Sequence, residues 1–126
     1  MFAKPEAPSA IREGVLAKAA LRSAAHMKLS SGELADILGV SEASISRMHR
    51  GSFHLADGSK AFELGQLFVR VFRGLDAITG SDDAASASWI RGANRNFQHR
   101  APLDLMKTVR GLVEVADYVD SRRARV

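Results

Sequence analysis

At 126 residues, 46% of them hydrophobic and 25% charged, the chain has room for one modest domain, or a small domain with a compact extension, of the soluble globular kind. Without cysteine it can form no disulfide, thiol nucleophile or cysteine-based zinc site, which fits a cytoplasmic protein. The formal charge of +4 and pI near 10.0 favour a polyanionic partner. Eight basic against six acidic residues up to Lys60, and ten against eight beyond it, leave neither half polarised, so a DNA-facing patch has to arise from arrangement.

Ten glycines, three prolines and no sustained polar–apolar alternation predict an all-α fold of helices separated by short turns. Residues 1–10 (MFAKPEAPSA) read as a flexible arm. They lack the apolar run of a signal peptide, and no uncharged stretch in the chain is long enough to span a membrane. A first helix is expected from about residue 10 to residue 27, with Ile11, Val15, Leu16, Ala19 and Ala20 on its apolar face and Arg12, Glu13, Lys18 and Arg22 on the wet one.

Residues 30–50 read SSGELADILGVSEASISRMHR. A short helix over 31–38 meets a turn at Gly39-Val40-Ser41, and a second helix runs from 42 to about 50. Ala35 is small where the helices would cross, Gly39 adopts a positive φ at no steric cost, and Ile45 returns a β-branched side chain to the wedge between them. Leu34, Leu38, Val40 and Met48 complete the seam; Ser30 with Glu33 forms a capping box, and Ser41 caps the second helix. This spacing looks like a helix-turn-helix, the competing reading being an ordinary helical hairpin that touches no DNA. The residues expected outside the seam are Ser41, Glu42, Ala43, Ser44, Ser46, Arg47 and Arg50, small polar side chains followed by arginines that suit a helix entering the major groove. Arg47 is the expected base reader, with guanine its natural match, and Glu42 is positioned to accept from cytosine or to bias against wrong sites. In the following loop Phe53 and Leu55 are expected anchors. Arg50, Ser52, His54 and Lys60 are candidate phosphate donors, with a plain solvated loop as the alternative.

From residue 59 to residue 79 the period is helical, carried by Phe62, Leu64, Leu67, Phe68, Val71, Phe72, Leu75 and Ile78. That apolar arc is wider than a small amino-terminal bundle needs, so part of it should face a second copy or the carboxy-terminal segment. Gly80 ends the helix. Ser81 is then the expected N-cap of the next helix, with Asp82 and Asp83 opposing its dipole; that helix carries Ala84, Ala87, Trp89 and Ile90 and stops near Gly92. An irregular stretch over 93–101 leads to a helix opened by Pro102, with Leu103, Leu105, Met106 and Val109. At Gly111, which allows a turn or close packing between the last two helices, it gives way to a last helix with Leu112, Val113, Val115, Ala116 and Val119. Trp89 is either a core anchor or an interface residue.

The order Trp89, Asn94, Phe97, Pro102-Leu103-Asp104-Leu105-Met106-Lys107-Thr108, Gly111 and Val115 resembles the toxin-binding domain of the Xre/MbcA/ParS family of antitoxins. The family pattern is Trp, Asn, Leu or Phe, Pro-Leu-x-Leu-Leu-x-Thr, then Gly and Val. It also places an Xre-type helix-turn-helix immediately upstream, so the resemblance covers nearly the whole chain. The sequence departs from it at Gln98-His99-Arg100, where the family commonly has glycine, and in the basic end Arg122, Arg123 and Arg125. The resemblance implies a type II antitoxin that silences a RES-domain toxin, an ADP-ribosyl-transferase-like consumer of NAD, and that represses its own operon. On that reading the chain divides into the arm at 1–10, a helix-turn-helix unit at 11–80 that includes the long helix, and a toxin-binding domain at 81–126. Trp89, Asn94, Phe97, Pro102, Leu103, Leu105, Thr108 and the arginines of the tail become candidate toxin-binding residues. A homodimer on palindromic half-sites is expected, because one small helix-turn-helix usually binds weakly.

The competing class is a dimeric transcription regulator whose carboxy-terminal helices serve dimerisation or an effector. An enzyme has little support: His26, His49, His54 and His99 lack metal-ligand spacing, and there is neither a phosphate loop nor a nucleophile motif. No cofactor is expected.

Overall fold

The computed structural model describes residues 8–124. Among them seven α-helices follow one another: α1 Ser9–His26, α2 Ser31–Leu38, α3 Glu42–His49, α4 Lys60–Thr79, α5 Asp83–Arg91, α6 Pro102–Met106 and α7 Val109–Arg123, with a single 3₁₀ turn at Arg95–Phe97. The all-α expectation holds. Residues 1–7 of the expected arm lie outside the described residues, whereas Ser9 and Ala10 already belong to α1.

α4 is the axis of the molecule. It packs against α1 and α7, with α2 and α5 also against it. Its wide apolar arc is thus used within the chain, by the carboxy-terminal segment. The approach to α7 is closest at Gly74, where a Cβ would overlap Cγ1 of Val119. One continuous core results, running from Leu16 and Ala20 through Ile45 and Phe68 to Leu112 and Val119. Ion pairs reinforce the packing at its rim: Arg70 on α4 donates Nε to Asp120 of α7 at 2.7 Å, and Arg12 on α1 donates to Asp57 of the long loop at 2.8 Å.

Three local expectations are corrected. Asp82, not Ser81, caps α5, accepting from the Ala85 amide at 3.0 Å. Gly80 ends α4 in the left-handed conformation, and Ser81 stays in the same region at φ 64° while its amide closes back on the Asp76 carbonyl. The break between the last two helices falls at Lys107-Thr108, not at Gly111: Thr108 caps α7 by accepting from the Gly111 amide at 3.0 Å. Gly111 lies in the first turn of α7, so tight against α6 that a Cβ would overlap the Leu105 carbonyl. Finally, Ile11 and Val15, expected in the core, are 57% and 63% exposed. The buried stripe of α1 is Leu16, Ala17, Ala20 and Ala24, which leaves an open groove between α1 and α4.

Candidate functional site

The helix-turn-helix is built as its seam requires. Ala35, Leu34, Leu38, Ile45 and Met48 are buried and Val40 half-buried. Gly39 has φ 69°, and Ser30 and Glu33 close the capping box in both directions. Ser41 caps α3 by accepting from the Ser44 amide at 3.1 Å. Ser41, Glu42, Ala43, Ser46, Arg47 and Arg50 are exposed along α3 and its ends, His54 is exposed in the loop, and Lys60 is exposed in the first turn of α4. Ser44 is a correction to the expected outward set: it is only 6% exposed. Its hydroxyl lies 2.9 Å from that of Ser41 and accepts from Arg47 Nη2 at 3.1 Å, so it orients the arginine instead of facing outward. Arg47 also lies over the Phe53 ring, 5.7 Å from its centroid, a cation–π contact that holds the guanidinium at the surface. The Phe53 anchor therefore serves the candidate base reader as well as the loop.

The candidate toxin-binding residues separate into scaffold and surface. Pro102, Leu103, Leu105 and Phe97 are buried, and Thr108 is engaged at both ends as the cap of α7, donating to the Leu105 carbonyl while accepting from Gly111. The four buried residues shape the domain from inside. Asn94 is the hub of the preceding loop. Its side chain accepts from the Asn96 amide at 2.9 Å, its amide donates to the Arg100 carbonyl, and its carbonyl accepts from Phe97 and His99. The loop turns through Gln98 and His99 at φ 58° and 64°. It thus keeps a left-handed bend without glycine, at a cost of roughly 1–2 kcal/mol per residue.

The surface of this unit includes an aromatic stack along with the exposed Thr108, Arg122 and Arg123. Trp89 is half-buried, stacked on Tyr118 at 6.1 Å with 12° between the planes, and both meet the buried Phe97 edge-on. The Tyr118 hydroxyl accepts from Asn96 Nδ2 at 2.9 Å, tying the loop to α7. Tyr118 and Asn96 were not among the sequence candidates, although Tyr118 follows Val115 by one helical turn on the motif-bearing helix. Arg122 and Arg123 are exposed at the end of α7, and Arg125 lies outside the described residues.

A contact between the two halves was also missed. Arg91, on α5, donates both terminal nitrogens to the Glu33 carboxylate of α2, at 2.8 and 2.9 Å, and one of them to the Lys28 carbonyl at 3.0 Å. The Arg91 hydrogen bonds, aided by those from Ser30, hold the Glu33 carboxyl down to about 2 against partial desolvation. His26, at the end of α1, stacks on Phe72 and meets Asp83 of α5 at 2.9 Å. Among the described residues no group of three or more His, Cys, Asp or Glu is placed to hold a metal ion, and no helix is long and apolar enough to cross a membrane.

A capped, glycine-turned helix pair followed by a Pro-opened helical unit with an aromatic face is the arrangement of a helix-turn-helix protein with a helical carboxy-terminal domain. Residues 6–70 match the model of the antitoxin Xre-like helix-turn-helix domain, and residues 74–125 match that of the antitoxin Xre/MbcA/ParS C-terminal toxin-binding domain. The chain belongs to the Xre/MbcA/ParS family of antitoxins. Its fold is similar to that of a chain in the crystal structure of the M. tuberculosis MbcT–MbcA toxin–antitoxin complex. The TM-score is 0.68 with 21% identity, over 89% of this chain and 96% of that one. No curated protein sequence matches it.

Proposed function

We propose that this antitoxin binds and neutralises a RES-domain, NAD-consuming toxin through its carboxy-terminal part and represses its own operon through α3. The observation that carries the reading is the presence of both family domains in one chain. On the toxin side the exposed edge of the Trp89–Tyr118 stack is the natural anchor, since half-buried aromatics on a rigid frame lose little entropy on binding. The arginines at 122, 123 and 125 reach onward into the toxin's substrate entrance, where nucleotide phosphates would otherwise arrive. On the DNA side a homodimer sets two α3 helices on palindromic half-sites. Arg47 reads a base, Ser41, Glu42, Ala43 and Ser46 line the groove, and Arg50, His54 and Lys60 contact phosphates. The domain division at 11–80 and 81–126 belongs to the same proposal, and so does a cytoplasmic location.

The test is co-expression with the adjacent reading frame. Growth rescue and co-purification support the reading. A toxic neighbour that this chain neither rescues nor binds would favour a dimeric regulator without a toxin.

A further inference from the structure

The first turns of α2 and α3, which the proposed function sets against DNA, carry two carboxylates, Glu33 and Glu42. Glu42, in the first turn of α3, holds Oε2 3.7 Å from where a Cβ on Gly32 would stand, so the first turns of α2 and α3 lie side by side. In such a pair the second helix enters the groove while the first crosses the backbone, which brings the Glu33 end of α2 toward phosphate. A bare carboxylate there would repel it. Glu33 nevertheless has a structural task, since it accepts from the Ser30 amide at 2.8 Å to close the capping box. The compensating charge comes from a residue 58 positions away, Arg91, whose fork grips both Glu33 oxygens and the Lys28 carbonyl.

We propose that Arg91, although it lies within the toxin-binding domain, is a positioning residue for DNA binding: it cancels the Glu33 charge at the phosphate-facing end of α2 and fixes that end against α5. The depressed Glu33 pKa is consistent with this, because the carboxylate stays ionised near neutrality and is silenced by pairing, not by a proton. The inference rests on the DNA-binding part of the proposed function. It adds that one side chain of the toxin-binding half tunes the charge of the DNA-binding half.

The full-length protein is titrated onto a duplex from upstream of its own reading frame, at fixed salt, by fluorescence anisotropy. Glutamine is accepted at the third position of a capping box, so E33Q removes the charge and keeps the cap. R91Q is expected to weaken binding about fivefold, the scale of one uncompensated charge near phosphate. E33Q is expected to bind at least as tightly as the unmodified chain, and E33Q/R91Q to recover most of the loss. A mere structural clasp would make E33Q and R91Q weaken alike, and that result overturns the proposal, as does R91Q binding like the unmodified chain. Should R91Q fail to fold, R91K, which keeps the charge without the fork, carries the test: retained affinity supports charge cancellation and lost affinity overturns it. If the unmodified chain binds no upstream duplex, the DNA-binding reading itself falls and takes this role with it; if it binds and only the Arg91 pattern fails, the reading of the helix-turn-helix stands.

Discussion

Gly74 and Gly111 are the two positions where a single methyl group has nowhere to go. At Gly74 the obstacle is the buried β-branched side chain of Val119, which must turn or move with α7; at Gly111 it is the backbone carbonyl of Leu105, fixed by the turn that Thr108 caps. G74A is therefore expected to cost about 1–3 kcal/mol by overpacking, read in urea unfolding, with G111A costing more. Gly111 reads in the sequence as either a turn or a place of close packing, because glycine serves both and no local pattern distinguishes them; the structure shows the close packing. Glu33 gives a pH prediction at the same scale. The Arg91 hydrogen bonds hold its folded pKa at about 2, well below the usual carboxylate value of 4.5, so its contribution to stability is complete above about pH 4.5 and is lost as pH falls toward 2. E33Q should flatten that part of the acid-unfolding profile; an unchanged profile would mean the pair does not contribute.

Among the elements, the α2–α3 pair was legible almost residue by residue, because its constraints are local: a small residue at the crossing, a glycine at the turn and a β-branched wedge all fall within eleven positions. The inward turn of Ser44 was not, since it depends on where Arg47 and Ser41 point. The α5 cap was misplaced by one residue because Ser81 and Asp82 are both good caps, and the continuation of the left-handed turn past Gly80 decided between them. Arg47 on α3 yields a prediction: R47A should cost roughly 1–3 kcal/mol on the preferred operator and relax specificity at one base pair, whereas equal weakening on every sequence would make it a phosphate contact. The end of α7 yields another. Removing residues 122–126 should impair neutralisation, read as growth on co-expression with the toxin; full neutralisation would rule out the tail as the block on the substrate entrance.

At the scale of the whole molecule, the two halves share α4 and one core, so neither the DNA-binding nor the toxin-binding unit is a bead on a linker. The Arg91–Glu33 and His26–Asp83 contacts join α5 to the amino-terminal helices across 58 and 57 positions of sequence. No periodicity or motif points to pairs so distant, which is why the sequence, although its α4 arc pointed to a second copy or the carboxy-terminal segment, carried no sign of these two contacts across Gly80. The family pattern in the second half was legible because its residues fix a loop and a tight helix–helix corner. Its aromatic face was only half visible, since Tyr118 joins Trp89 through the fold alone. The central claim is that this chain neutralises a toxin. It is tested most directly by expressing the adjacent reading frame alone and together with this chain, then passing the co-expressed proteins through affinity and size-exclusion columns. The account predicts arrested growth alone, restored growth together, and one co-eluting complex; restored growth without a complex, or a stable arrest in the presence of this chain, would contradict it.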